Sequence, residues 1–157
     1  MFQKQRENRL QKKDKTKKEI SKLFAGQPLA VLATQSKDAP HLSLIAFVSS
    51  PDLKRIFFVT NRSTHKFKHL KENPRVSLLM DNRSNRAEDF QTAAAVSVYG
   101  KAKEIPKSQN KKFVNMFTDE HPSLKDFIRS PDSALVQVTV DKYSLVSQFQ
   151  NVQEIIL

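Results

Sequence analysis

Apolar positions along this chain fall mostly into short blocks of alternating or continuous β-branched and aromatic residues, and these blocks predict about six strands. Leu29 to Gln35 is the first. Pro40 to Ser49 is the second, and in it Leu42, Leu44, Ala46 and Val48 alternate with His41, Ser43, Ile45 and Phe47. Both faces of that strand carry apolar residues, as expected when one face lines a barrel and the other packs elsewhere. Ile56 to Thr60, Arg75 to Met80 and Ala94 to Lys103 follow, and Ser133 to Val146 supplies two alternating segments, ALVQVTV and YSLVSQF. Turns at Ser36-Lys37-Asp38 and Ser50-Pro51-Asp52 separate the early strands.

A second periodicity, of three to four residues, predicts short helices between the strands. Ile20, Leu23 and Phe24 mark one over Lys17 to Ala25, with Gly26 as a candidate C-cap. Phe67 and Leu70 mark another that starts at Ser63 as N-cap and stops at Asn73-Pro74, since a residue before proline is pushed out of the α region. Phe113, Val114, Met116 and Phe117 mark a third over Pro106 to Asp119. His121-Pro122 breaks it, and Ser123 to Arg129 forms a fourth. The polar stretch after Met80, DNRSNRAEDFQTAA, predicts an irregular loop, and the apolar tail Ile155-Ile156-Leu157 needs a partner surface. Predominant strands with short connections predict a mostly β, α+β fold: a six-stranded antiparallel split β-barrel with peripheral helices.

Residues 1–16 have almost no apolar positions and are expected to form a flexible basic arm ahead of a single domain over 17–157. Charge is concentrated there. Met1 to Lys22 holds nine Lys and Arg against Glu7, Asp14 and Glu19, or six of the eleven net positive charges. Such an arm can contact polyanions, so a nucleic-acid-binding module is one alternative. Against it, the rest of the chain lacks aromatic residues interleaved with Lys and Arg, and nucleic acid is not the expected partner.

Composition removes several chemistries. There is no cysteine, hence no disulfide, thiol nucleophile or thiolate metal site, which fits a cytoplasmic protein. The N-terminus has no apolar core of a secretory signal, and no apolar run reaches membrane-spanning length. With Gly26 and Gly100 as the only glycines, no Walker or dinucleotide-binding loop can be written. Nothing marks a nucleophile elbow. His65 and His69 have the i, i+4 spacing that can hold a metal, but no metalloprotease-type glutamate adjoins them and lysines surround them, so no metal site is expected.

The stretch that invites a function is Lys54 to Met80, KRIFFVTNRSTHKFKHLKENPRVSLLM, read as strand, turn, helix, strand. Arg62, Ser63, Thr64, His65 and Lys66 crowd the helix start with cations. A helix N-terminus carries partial positive charge and unpaired N–H donors, so it favours Asp or Glu. A bound phosphate monoester resolves the conflict; a basic turn pointing into water is the plainer alternative.

The runs FFVTNRSTHK and NPRVSLL resemble the core signature of the pyridoxamine phosphate oxidase-like, FMN-binding split-barrel family. The likeness extends more weakly from LAVLAT to VSVYGKA and into LVQVTVDKYSLVSQFQ. It implies an FMN cofactor and an oxidoreductase acting on an unknown small molecule, working as a homodimer with the flavin between subunits. It also implies that Val59 and Thr60 contact the flavin, that Thr64, His65 and Lys66 surround its phosphate with Arg62 and Ser63 beside them, and that Ser43, Leu44, Ile45 and Ala46 run along its ring. His65 departs from the family's usual arginine. Ala95 departs from the glutamine of the oxidases, a contact for which Asn82, Arg83 or Gln91 is the available replacement. Deazaflavin- or haem-binding is the alternative within the fold. The positions where the oxidases hold their substrate's phosphate fall on Phe113, Phe117 and His121, and the chain has no tryptophan, so an authentic pyridoxamine phosphate oxidase is not expected.

Overall fold

The β-branched and aromatic blocks fold as strands because each can bury one face against the others. In a computed structural model that describes residues 2–37 and 39–157, they form one antiparallel sheet. The strands are β1 (Leu29–Thr34), β2 (His41–Ser49), β3 (Arg55–Asn61), β4 (Arg75–Asp81), β5 (Ala94–Ile105), β6 (Ser133–Ser147) and β7 (Asn151–Ile156). The order is β3-β2-β1-β4-β5-β6-β7, and β3 also pairs with β6, closing a six-stranded barrel. Met1 and Asp38 lie outside the described residues, so the third position of the Ser36-Lys37-Asp38 turn is not described.

The long strand β6 makes the barrel split. Its first half pairs with β3, from Ser133↔Asn61 to Thr139↔Arg55, and its second half pairs with β7, from Lys142↔Ile156 to Ser147↔Asn151. The two segments read from the sequence are therefore one strand. The break in alternation at Asp141-Lys142 is a bulge, because Tyr99 of β5 faces Lys142 whereas Gly100 faces Val140. The apolar tail finds its partner in β6, and half of its apolar character is used: Ile155 is buried while Ile156 is exposed.

Five helices surround the sheet: α1 (Phe2–Ala25), α2 (His65–Glu72), α3 (Asp89–Thr92), α4 (Lys111–Glu120) and α5 (Lys125–Arg129). The first begins at Phe2 rather than Lys17, so the basic segment is helical. Thr16 anchors it, donating from Oγ1 to Gln153 Oε1 at 2.7 Å, and Lys13 Nζ donates to Ile156 O at 2.9 Å. Ile20, Leu23 and Phe24 bury the apolar stripe expected over residues 17–25, and polar docking on the edge strand holds the segment before it. Gly26 has no positive φ, so it is not the left-handed cap expected; the helix ends through a tight Gly26 N–H to Leu23 O bond of 3.1 Å. Within the loop read as irregular, Asp89 accepts from the Ser84 N–H, the Ser84 hydroxyl and the Arg86 N–H, and this winds the short α3. These bonds, led by that from the Ser84 N–H, hold the Asp89 carboxyl below the usual carboxylate range.

The described residues form two apolar cores. The barrel interior packs Leu32, Phe58, Leu78, Val98, Val138 and Tyr143 with Leu23 and Phe24 of α1. The second lies outside the wall of β2, β3 and β6, where Phe57, Val59 and Leu135 meet Phe113, Phe117 and Ile128 of α4 and α5. Phe57 and Phe113 stack at 3.8 Å between centroids. Inside the barrel, the Tyr143 hydroxyl donates to Leu53 O at 2.6 Å, and burial pushes its pKa well above the ordinary tyrosine value. Tyr143→Phe leaves that carbonyl without its donor and is expected to cost about 1–3 kcal/mol. Urea unfolding of the two proteins measures it; identical midpoints would show that the bond contributes nothing.

Candidate functional site

The turn between β3 and α2 is built by Asn61. Its Oδ1 accepts from the Ser63 N–H at 2.8 Å and the Ser63 hydroxyl at 2.7 Å, folding an Asx turn. Thr64, one residue later than the sequence suggested, is the N-cap: its Oγ1 accepts from the Phe67 N–H at 3.4 Å and donates to Asn61 O at 2.8 Å. The reason is local, since Ser63 spends its hydroxyl proton on Asn61 and sits in the turn. Thr60, almost fully buried, brings its Oγ1 within 3.1 Å of Thr64 Oγ1.

The cations of this turn separate once side chains are seen. Arg62 is committed elsewhere, pairing through Nε and Nη2 with Glu104 of β5 and donating to Pro131 O. Glu104 also receives Lys71 Nζ at 3.2 Å. Burial raises the Glu104 pKa, but the hydrogen bonds and charges of Arg62 and Lys71 outweigh it and hold the carboxyl below its ordinary value. The sequence offered no signal for Glu104, which reaches Arg62 only through the barrel's closure. Lys66 is different. It is half-buried on the first turn of α2, no carboxylate lies within ion-pair distance among the described residues, and desolvation lowers its pKa. The N–H groups of His65 and Lys66 lie in the first helical turn, where no intrahelical acceptor exists. Lys66, the free N–H donors and the Thr64 hydroxyl thus share the first turn of α2, with the Thr60 hydroxyl against that of Thr64, a donor set suited to a phosphate or carboxylate.

The remaining residues implied by the family resemblance fall in three places. Val59 has its side chain in the outer core, so only its backbone is available to a ligand. On β2, Ile45 points into the barrel, while Ser43 and Ala46 are half-buried and Leu44 is 67% exposed. Leu44 pairs with Val31, Leu42 with Ala33 and Leu29 with Ala46, and Val31 in turn pairs with Leu79 of β4. These residues make a continuous apolar patch on the outer face of β2, β1 and β4, with Leu42 65% exposed. Asn82 and Arg83, the candidate replacements for a polar contact at Ala95, lie near that residue, which pairs with Asp81, and away from the phosphate turn. They follow β4 at its far end, roughly 20 Å along a seven-residue strand. Asn82 closes the loop by exchanging both hydrogen bonds with Ala94, and Arg83 pairs with Asp81 at 3.1 Å.

That far end holds an open cavity of about 680 Å³ lined by Leu79, Ala95, Val146 and Val152, with Phe90 and Phe149 at 6.4 Å from each other and Arg83 and Arg86 among its walls. Ala95 stands in this apolar wall. Phe113, Phe117 and His121 are buried packing residues. The two rings are in the outer core, and His121 is buried with its Nε2 within 2.8 Å of Phe47 O. No described helix is long and apolar enough to cross a membrane.

Comparison with known proteins agrees with the fold. A family model described as pyridoxamine 5'-phosphate oxidase matches residues 16–147. Among solved structures, a haem-binding protein from Mycobacterium smegmatis is similar with a TM-score of 0.75 and 16% identity, over 85% of this chain and 55% of that one. The haem storage protein HutZ from Vibrio cholerae gives 0.70 and 16%, over 83% and 92%. An FAD-binding protein from Mesorhizobium loti gives 0.65 and 16%, over 81% and 91%. The chain thus spans about half the length of the mycobacterial protein, and at these identities the likeness is one of fold. No curated protein matches the sequence.

Proposed function

Because the chain belongs to the pyridoxamine 5'-phosphate oxidase family, we propose that it is an FMN-binding flavoprotein, a cytoplasmic homodimer that works as an oxidoreductase on a small molecule. The observation that carries this reading is Lys66, a half-buried ammonium with no carboxylate partner among the described residues, at a helix start where only an anion relieves the charge. Lys66 Nζ and the N–H groups of His65 and Lys66 would hold the phosphate, with the Thr60 and Thr64 hydroxyls beside them. Bound flavin would supply the redox chemistry, and the protein would orient it and exclude water.

An exposed apolar face supports the dimer in the same reading. The apolar patch around Leu42 and Leu44 is the kind of surface that a second copy covers. Within one subunit, the phosphate turn and the apolar cavity lie at opposite ends of β4. Two subunits related by a two-fold axis let the turn of one and the cavity of the other serve a single cofactor. Pyridoxamine phosphate is not the expected substrate, because Phe113 and Phe117, where the oxidases hold its phosphate, are core residues that donate no hydrogen bond. Haem is the second reading: the same basic turn can receive a propionate, and two fold neighbours are haem proteins.

A visible spectrum of the purified protein, with mass identification of the released chromophore, separates flavin from haem. Lys66→Ala then tests the site. Losing one charge-assisted hydrogen bond is expected to weaken FMN binding by about 1.5–3 kcal/mol, roughly 10- to 150-fold, with little change in thermal stability. Equal affinity in mutant and parent would remove the phosphate from this turn.

A further inference from the structure

The open cavity at the far end of β4 has an apolar floor made by sheet register. Ala95 pairs with Val146, and Val146 pairs with Val152, so these three side chains stand in a row on one face. Phe90 of α3 and Phe149 of the β6–β7 turn also line the cavity, 72% and 62% exposed and set at 83° to each other. We propose that this cavity binds a planar aromatic carboxylate, with its ring against Phe90 and Phe149 and its charge on Arg86.

Size and shape suit a small molecule. At about 680 Å³ the cavity falls in the range that encloses one. Exposed phenylalanine rings are unfavourable in water, and here two of them meet edge to face at 6.4 Å. Rings at nearly a right angle make a corner, so a flat ligand that stacks on one meets the other as well. The backbone is strained where Phe149 sits. Gln148, Phe149 and Gln150 have φ of 47°, 43° and 68°, three consecutive left-handed residues with no glycine among them. A three-residue hairpin loop ordinarily places only its last residue in that region. Strain beyond the needs of the turn is characteristic of ligand clamps.

Charge selects the carboxylate. Asp81, Arg83, Arg86 and Asp89 all line the cavity. Asp81 pairs with Arg83 at 3.1 Å. Asp89 is occupied by the Ser84 N–H, the Ser84 hydroxyl and the Arg86 N–H. The Arg86 guanidinium is exposed, and no carboxylate lies within ion-pair distance of it among the described residues. A guanidinium presents a planar fork of donors that matches a carboxylate. In the flavin reading the bound molecule is the substrate, and that role rests on that reading. The binding itself does not, since the phosphate turn lies at the opposite end of β4.

The test titrates the full chain, as purified, with 2-naphthoate and with its neutral analogue 2-naphthamide, read by calorimetry. Arg86→Gln should weaken naphthoate binding roughly tenfold and leave naphthamide binding unchanged. Phe90→Ala and Phe149→Ala should each weaken both ligands about fivefold. All three side chains are exposed, so these changes do not endanger the fold. Phe127→Ala, which removes an exposed ring of α5, should bind naphthoate as the parent does. No naphthoate binding by the parent, or equal naphthoate affinity in Arg86→Gln and parent, would overturn the proposal. Release of the bound chromophore by naphthoate would give the cavity to the cofactor and overturn it too. So would altered sedimentation of Phe90→Ala with naphthoate affinity intact, which would give the cavity to a second copy of the chain. Flavin content is read separately from the visible spectrum: a flavin-free protein that binds naphthoate through Arg86 would remove the flavin reading and uphold this site.

Discussion

On the proposed dimer, Leu44→Asp is expected to give a folded monomer that does not hold the cofactor. The side chain is 67% exposed in the single chain and stands amid Val31, Leu42 and Leu79. Its removal therefore costs the monomer little, within about 0.5 kcal/mol as for other surface changes. At an interface it costs far more. Burying a leucine contributes about 1.5–3 kcal/mol, and a two-fold interface loses the contribution twice, so about 3–6 kcal/mol disappears even before two carboxylates are brought together. That is a weakening of roughly two to four orders of magnitude in the dimerisation constant. Sedimentation velocity at micromolar protein reads it, with circular dichroism as the control for folding. A parent that sediments as a monomer, or a variant that stays dimeric with its chromophore, would remove the interface from this face.

Gly100→Ala should damage the fold itself. A methyl group at this position would sit 2.3 Å from Thr139 O and 3.0 Å from Val138 Cγ1. The first of these is backbone, fixed on β6 where that strand is paired on both sides, to β3 and to β5. Rotamer changes cannot make room, so the sheet must open at its bulge. The cost is expected to be about 3 kcal/mol, at the upper end for an overpacked core. For a chain of this size that lowers the melting temperature by about 6–12 °C. Gly26→Ala is the matched control: its added carbon meets nothing closer than Leu23 O at 3.7 Å. Equal melting temperatures for the two variants would show that the crossing at Gly100 is looser than its geometry indicates.

The strands were legible because each is a local pattern. Alternation at β2 and the apolar blocks of β1, β3, β4 and β5 require only that one face be buried, and period two records that directly. Short-range chemistry was legible too. The turn at Asn61 to Lys66 could be recognised as a cationic helix start, and its resemblance to a flavin-binding family located the fold. The errors of one residue, such as the cap at Thr64 in place of Ser63, arose because two neighbouring hydroxyls were equivalent as text. Asn61 chose between them by taking one for its Asx turn.

What the sequence by itself determined, then, was the first five strands, the family and the existence of a basic turn, while the single β6 and the strand β7 came only with the fold. Tertiary structure decided which charges were free, what faced what and where the chain closed. Arg62 and Lys66 look alike in the sequence, yet barrel closure brings Glu104 to the first, while no carboxylate of the described residues comes within ion-pair distance of the second. Asn82 and Arg83 follow β4 immediately, but a strand is a rigid spacer and carries them to the opposite end of the barrel. His41 stands far from His65 and His69 along the chain and close to them in space, because the pairing of β2 with β1 sets it beside Thr34. Such relations depend on sheet register and strand order. These are fixed by many weak contacts between residues distant in sequence, which no local pattern encodes.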